Sequence, residues 1–229
     1  MGAGTSAGAP GRVMTVTLVK DLRAKFGPVR DQDPRPTCMA FAGSDAHAGA
    51  RAGWDPLSVE WAYFHALKLD GAQPHQGVRL STMLDTLRGY GQPVESAWPY
   101  IDNLFTDFAS YTPPVSAHPI FRRDSVSVPA TTDDIIGQLD QDRPVLFTMS
   151  ISHCFFHAPP SGIVSSTEPL EPKRVHAVVA VGHGLVGSDR YILVRNSWGQ
   201  GWGLQGHAWL DAAYLKTRLL VAAVMSTEV

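Results

Sequence analysis

The sequence predicts an α+β fold in two lobes, a helical lobe followed by a lobe built mainly of strands. Apolar residues recur at helical spacing before residue 111, whereas short apolar runs of strand length dominate after residue 119. Between these regions, the segment Tyr111–Pro119 contains three prolines that interrupt any regular element. We therefore predict a flexible tail over residues 1–12, a helical lobe over 13–118 and a β-rich lobe over 119–229, the two lobes forming one domain.

Composition supports a folded chain and excludes some partners. The 229 residues are 44% apolar and carry a formal net charge of −2, which is enough apolar material for a core. No long run of one charge sign marks a surface for nucleic acid or anionic membrane. The longest apolar run, Leu219–Met225, is too short to span a bilayer. We expect no nucleic-acid partner and no membrane partner.

Three helices are predicted in the first lobe. A proline-rich loop leads into a helix of small residues, with Thr37 as its N-cap and Cys38 in its first turn. A second helix has Ser58 as N-cap and Gly71 beyond its end. The third helix has an apolar face and is stopped by two glycines; these residues are Leu80, Met83, Leu84, Leu87, Gly89 and Gly91.

The second lobe alternates strand signals with one short helix near Asp133–Leu139. The predicted strands cover residues 125–128, 145–151, 177–181, 191–194 and 207–210. The glycine-containing segment Gly182–Arg190 predicts a hairpin loop. A turn centred near Val186 places His176 opposite Asn196, so these side chains are expected to meet at the open end of the hairpin. A register slip of one residue would reverse their faces.

The two cysteines, Cys38 and Cys154, do not form a disulfide framework, since they lie 116 residues apart. This usage favours a reducing compartment, and the first twelve residues lack the features of a signal peptide. We therefore expect a cytoplasmic location. The cluster His153–His157 offers three potential ligands without a fourth, so we expect neither a metal nor a cofactor.

Three segments of the sequence resemble papain-like cysteine peptidases. They are Gln32 with Thr37–Ala42, then Val175–Gly184, then Asn196-Ser197-Trp198-Gly199 with the following Gln200–Gly203. In this family the histidine and asparagine follow the cysteine by about 130–150 residues. Here the separations from Cys38 are 138 and 158 residues, the second slightly long. The resemblance runs from about Asp21 to Trp209.

The resemblance implies a papain-like fold with a cleft between the helical lobe and an antiparallel β lobe. Cys38 would be the nucleophile and His176 its general base and later acid, the pair resting as thiolate and imidazolium. Asn196 would orient the His176 ring. Gln32 and the Cys38 backbone N–H would stabilise the oxyanion. The implied activity is that of a cysteine peptidase that hydrolyses peptide bonds through an acyl-enzyme thioester.

The resemblance also implies residues that bind substrate. Gly77 matches the segment that receives the substrate backbone. Arg174 and Val175 would line the pocket for the side chain two residues before the cleaved bond, and Thr148 another wall. Trp198 would shield the contact between histidine and asparagine from water. The expected partner is a peptide or protein substrate.

The sequence departs from the family pattern beside the nucleophile. The usual Cys-Gly-Ser-Cys-Trp is replaced by Arg35-Pro36-Thr37-Cys38-Met39, so a structural half-cystine is lost and a rigid proline without an N–H replaces a glycine. We also expect no inhibitory propeptide ahead of Val13. Control of activity is therefore expected from a regulatory partner, a neighbouring domain or the scarcity of substrate.

Two other functions remain open at this point. A peptide ligase or acyltransferase would use the same cysteine and histidine but deliver the acyl group to an amine or thiol instead of water. A non-catalytic papain-like module would bind peptides without cleaving them. The presence of all four catalytic residue types argues against the second.

Overall fold

The computed structural model describes residues 15–165, 168–170 and 174–229. The tail predicted over residues 1–12 lies outside them. An eight-stranded sheet has helices packed on both of its faces. Within the described ranges, no helix has the length and apolar character needed to cross a membrane.

Three helices form one side of the molecule, as the sequence predicts: α1 (Cys38–Gly49), α2 (Val59–Asp70) and α3 (Leu80–Gly89). The Ser58 hydroxyl caps α2 by accepting the Trp61 N–H at 3.2 Å, and Gly71 ends the helix in the left-handed region with φ 63°. Thr37 is the N-cap residue of α1, as predicted, but its side chain makes no capping hydrogen bond. Its hydroxyl lies 3.0 Å from the Tyr100 hydroxyl instead.

The sheet contains β1 (Thr17–Asp21), β2 (Arg123–Val128), β3 (Val145–Ser150), β4 (Ile163–Val164), β5 (Val175–Val186), β6 (Asp189–Arg195), β7 (His207–Asp211) and β8 (Leu219–Glu228). The remaining helices are α4 (Thr132–Asp140), α5 (His153–Phe156) and α6 (Ala212–Lys216). The strand order is β2-β8-β3-β5-β6-β7-β4, with β1 paired to β5. All pairs are antiparallel except β4 with β7. The segment predicted as a helical lobe therefore contributes one strand, β1, to the sheet.

Both faces of the sheet are buried, so its central strands are apolar on both sides. In β5, Val179 packs with the core shared by α1, α2 and α3, whereas Val178 packs with the core on the opposite face. Helix α1 lies between the sheet and the other two helices. Its small residues suit this position because they allow close packing on every side; Ala40, Ala42, Gly43, Ala46 and Ala48 are all buried.

The hairpin that leads to the predicted site differs from the expected one. Strand β5 continues through Val186, which pairs with Asp189, so the turn is the two residues between them. The prediction of a turn centred near Val186 is therefore wrong by about one residue. Extending the observed Val179–Arg195 pairing places Asn196 diagonal to His176 instead of opposite it. A diagonal step of two residues keeps both side chains on one face.

Candidate active site

Cys38 is the first residue of α1 and lies at the end of the loop 32–37. Its thiol lies close to the backbone N–H groups of Ala177 on β5 and Met39 on α1. Burial raises the pKa of the Cys38 thiol, and these N–H groups partly offset that rise. The nucleophile predicted from the sequence thus lies where the first turn of α1 meets β5.

His176 is held by Asn196 through one of its two ring nitrogens. The ring Nε2 lies 2.6 Å from Asn196 Oδ1, which also accepts the Ser197 N–H at 2.8 Å. Since a carbonyl oxygen only accepts, Nε2 carries the proton and Nδ1 is the basic nitrogen. Burial lowers the pKa of His176 to about 4, against the opposing effect of the Asn196 hydrogen bond. The ring is therefore neutral unless a negative charge forms beside it.

Aromatic rings cover the contact between His176 and Asn196. The Trp198 ring centroid lies 4.6 Å from that of His176, and Trp198 stacks on Phe156 at 5.2 Å with an interplanar angle of 12°. Phe155 is fully buried and touches both His176 and Trp198. The Trp202 indole donates to the Phe155 carbonyl at 3.0 Å. These rings exclude water from the histidine on its sheet side.

Gln32 is connected to both halves of the site. Its Nε2 donates to the Arg35 carbonyl at 2.8 Å, and its Oε1 accepts the Ser197 hydroxyl at 2.7 Å. The Gln32 backbone N–H also donates to the Ser197 carbonyl at 2.9 Å. An amide nitrogen has two hydrogens, so one remains for a substrate oxygen. The role of Ser197 was missed in the sequence, where its only signal is its place after Asn196.

A cavity of about 670 Å³ opens beside Cys38 and His176. Of the predicted substrate residues, Gly77, Thr148 and Val175 line it. Trp198 and Arg174 instead contact Phe156, the Arg174 guanidinium lying 5.5 Å from the ring centroid. The rest of the wall is mainly apolar and was not predicted, because α3, β2 and β8 contribute it from distant parts of the chain; it includes Val78, Leu80, Leu84, Val128, Ala130, Leu220 and Val221.

A buried carboxylate joins the nucleophile helix to the strand that leads to Asn196. Asp45 of α1 accepts Arg195 Nε at 2.6 Å and Arg30 Nη2 at 2.6 Å. Arg195 is the last residue of β6 and also donates to the Gly27 and Pro28 carbonyls. Burial acts to raise the pKa of Asp45, but the two guanidiniums hold it below its ordinary value. Asp45 is therefore charged and fixes α1 against the end of β6.

The cluster His153–His157 shows no arrangement for a metal. Across the part of the chain that the structure describes, no group of three His, Cys, Asp or Glu side chains is placed to hold an ion. The rings of His153 and His157 lie 4.3 Å apart, and the Cys154 thiol lies 2.9 Å from the Ser152 hydroxyl.

Comparison with protein families shows one match, to the model described as papain family cysteine protease, over residues 92–222. This segment is more than half of the chain. It includes His176 and Asn196, whereas Cys38 and Gln32 precede it.

Curated relatives are similar over parts of their length. Digestive cysteine proteinase 3 of Homarus americanus is 28% identical over 213 residues, covering 85% of this chain and 58% of that protein. Silicatein of Petrosia ficiformis is 30% identical over 128 residues, covering 51% and 38%. A cysteine protease of Blomia tropicalis is 29% identical over 85 residues, covering 37% and 26%. The matched part of the chain thus spans less than two thirds of each of these relatives.

Solved structures show the same fold. The crystal structure of xylellain, a cysteine protease from Xylella fastidiosa, aligns with a TM-score of 0.73 at 21% identity, covering 92% of this chain and 87% of that one. A structure from work on the mite allergens Blo t 1 and Der p 1 aligns with a TM-score of 0.75 at 20% identity, covering 96% and 75%. The predicted papain-like α+β fold is confirmed.

Proposed function

The chain belongs to the papain family of cysteine proteases, and from that premise we propose that it hydrolyses peptide bonds with Cys38 as nucleophile and His176 as general base. One observation carries the proposal: the Cys38 thiol and the His176 ring share the wall of one cavity, while Asn196 occupies the far nitrogen of the ring. A thiol, a base and an orienting group in this order are the parts that nucleophilic catalysis requires.

The reaction has two steps, acylation of Cys38 and hydrolysis of the thioester, and His176 Nδ1 transfers the proton in both. With the thiol proton already on Nδ1 of His176, the sulfur of Cys38 bonds to the peptide carbonyl carbon, and the oxyanion accepts hydrogen bonds from the Cys38 N–H and the remaining Nε2–H of Gln32. The C–N bond breaks as Nδ1 protonates the leaving amine. Water, deprotonated by Nδ1, then attacks the thioester, which releases the carboxylic acid and leaves Cys38 as a thiolate beside the protonated ring.

The two groups ionise together. Burial raises the pKa of Cys38 and lowers that of His176 to about 4, so each charge alone is unfavourable. Moving the proton from sulfur to Nδ1 creates both charges at once, and their attraction offsets the cost of burial. In this proposal the resting site is thiolate and imidazolium, and loss of either partner returns the other to its neutral form.

The cavity beside the nucleophile favours an apolar substrate side chain. Its wall is mainly aliphatic, from Leu84 on α3 to Val221 on β8. Apart from Cys38 and His176, the charged side chain among its described lining residues is Arg79, which is bound to Asp70 with Nε to Oδ1 at 3.0 Å. We propose that the cavity takes a side chain of leucine or phenylalanine size close to the scissile bond, because burying it on these walls is favourable.

Selective alkylation tests the ion pair without a substrate. Brief treatment with iodoacetamide at pH 6, read by peptide mass spectrometry, is expected to label Cys38 at least about tenfold faster than Cys154, since only a thiolate reacts quickly. In His176→Ala the Cys38 thiol loses its base, and burial still raises its pKa. Rapid labelling of Cys38 is therefore expected only above pH 9.0, the ordinary thiol pKa. Equal, slow labelling of both cysteines in the unchanged chain would contradict the proposal.

Peptide turnover tests the reaction itself. A library with varied apolar residues should be cleaved by the unchanged chain and not at all by Cys38→Ala, since Cys154 does not line the cavity and cannot replace the nucleophile there. Product masses measured with an added amine separate hydrolysis from ligation. Cleavage that persists in Cys38→Ala would exclude Cys38 as nucleophile.

A further inference from the structure

A fully buried ion pair lies next to the loop that leads to the nucleophile. Arg35 belongs to this loop and Glu60 to the first turn of α2, and each side chain has 0% of its surface exposed. Arg35 Nη1 donates to Glu60 Oε1, and Nη2 donates to Oε2 at 3.2 Å. A pair of guanidinium and carboxylate groups joined through both oxygens has a fixed orientation as well as a strong attraction.

Further hydrogen bonds anchor both members of the pair, although Arg35 Nε is buried without a hydrogen-bond partner. The Glu60 carboxylate also accepts the Ile101 N–H at 2.9 Å and the Tyr111 hydroxyl, while Arg35 Nη1 donates to the Ile101 carbonyl. Burial acts to lower the pKa of Arg35, but the hydrogen bond and charge of Glu60 outweigh it and hold the pKa above its ordinary value. Arg35 therefore keeps its charge inside the protein.

Aromatic rings surround the Arg35 guanidinium. Its Cζ lies between 5.0 and 5.6 Å from the centroids of Tyr63, Tyr100, Phe105 and Tyr111. A guanidinium near ring faces gains cation–π stabilisation, which is stronger when water is excluded. We call Arg35, Glu60 and these four rings the arginine cage.

The arginine cage is connected directly to the catalytic loop. The Arg35 carbonyl accepts both Gln32 Nε2 and the Thr37 N–H at 2.8 Å. The Tyr100 hydroxyl donates to the Gln32 carbonyl at 2.6 Å and lies 3.0 Å from Thr37 Oγ1. Movement of the Arg35 side chain therefore displaces the Gln32 amide and the residue that precedes Cys38.

We infer that Arg35 and Glu60 are positioning residues whose ion pair holds Gln32 and Cys38 in the geometry needed for attack, an inference that rests on the proposed function. Arg35 stands where the resembled pattern has a cysteine, and both cysteines of this chain are free in the structure. The buried charges thus fasten a loop that has no covalent link. Neither side chain touches the reacting atoms, so both act through the loop.

The double variant Arg35→Met with Glu60→Gln tests this inference. It removes both charges, so no unpaired ion is left in the core, and it keeps an oxygen for the Ile101 N–H. We expect kcat on peptides to fall at least about tenfold, because small misplacement of reacting groups is costly, while KM changes less than about twofold. The ratio of Cys38 to Cys154 alkylation rates at pH 6 should fall in parallel. Arg35→Lys, which keeps the charge but cannot make the two-point contact with Glu60, should retain only part of both.

A matched control is the pair Arg123 and Glu228, joined at 3.1 Å by Nη2 and Oε2, with Arg123 buried and outside the catalytic cavity. The variant Arg123→Met with Glu228→Gln is expected to leave kcat and the alkylation ratio unchanged. If the Arg35 and Glu60 double variant does not fold, Tyr100→Phe replaces it, since it removes only the hydroxyl bonded to the loop. That variant should lower kcat about threefold or more.

Two outcomes are separable. A folded cage variant with unchanged kcat and an unchanged alkylation ratio would overturn the inference and leave the proposed function intact. If the unchanged chain cleaves no peptide, the proposed function fails, and the alkylation ratio still decides whether the cage positions Cys38.

Discussion

The two sides of the cleft fix their reactive groups by different means. His176 lies in β5, where its backbone is paired with Met149 of β3, so the strand itself sets its position. Cys38 follows an irregular loop that is joined to the sheet side at its start, where the Gln32 N–H donates to the Ser197 carbonyl. The Tyr100 hydroxyl and the buried Arg35 side chain hold the rest of the loop. A group on a strand is placed by the backbone ladder, whereas a group at the end of a loop needs buried polar contacts.

The electrostatic surroundings differ in the same way. On the helical side the supporting groups are charged, as in the pairs of Arg35 with Glu60 and Arg30 with Asp45. On the sheet side His176 is bordered by the rings of Phe155 and Trp198. Buried charge fixes orientation at a high cost if one partner is lost. Removal of single groups should therefore affect the helical side more strongly.

The largest effect is expected at Asp45, where the two sides meet. Asp45→Asn leaves the guanidiniums of Arg30 and Arg195 without their carboxylate in a buried site, so the free energy of unfolding should fall by about 3–5 kcal/mol. Urea denaturation measures this loss. The control Asp133→Asn removes an exposed pair with Arg190 and should cost less than about 1 kcal/mol. If both variants lose the same free energy of unfolding, the buried carboxylate of Asp45 contributes no more to stability than the exposed one of Asp133.

A second effect follows from pH and the buried His47 of α1. Burial lowers its pKa from 6.5 to about 4, against the opposing hydrogen bond to Gln92. The unfolded chain therefore binds a proton below pH 6.5 that the folded chain refuses until about pH 4. His47 should lower the free energy of unfolding as pH falls through this range, by about 3 kcal/mol in total.

Comparison of unfolding at pH 7 and pH 4 measures this contribution. The fall should be smaller in His47→Gln, whereas His75→Gln, which changes an exposed side chain, should match the unchanged protein. An identical fall in all three proteins would show that His47 does not contribute to the acid sensitivity of the helical side.

The smallest of the three effects is expected on the sheet side. Asn196→Ala removes the acceptor of His176 Nε2 and allows the ring to turn within its strand position, so kcat should fall about 10²-fold with KM nearly unchanged. Asn103→Ala, in an exposed loop, is the matched control. If kcat of Asn196→Ala stays within about threefold of the unchanged protein, packing against Trp198 is enough to orient the His176 ring. The polar contact with Asn196 would then not be needed for this orientation.

The sequence predicted much of this architecture where the signal is local. Helices α2 and α3 and the central strands follow from periodicity, and the capping role of Ser58 follows from residue type. Long-range pairing was harder to predict. Strand β1 joins the sheet from the part of the chain predicted to be helical. The predicted turn after β5 lies about one residue before the observed one. Thr37 is the N-cap residue that the sequence predicted, but its neighbours in sequence could not show that its hydroxyl would contact Tyr100 instead of the helix.

Taken alone, the sequence determined which side chains are candidates for the chemistry, because the motifs around Cys38, His176 and Asn196 combine reactive residue types with recognisable spacing. The tertiary structure decided how they are held and what they face. The apolar wall of the cavity and the pairing of Arg35 with Glu60 join residues from separate elements. Such pairings depend on burial, which removes water from both groups and makes their contact strong, and burial is a property of the folded chain.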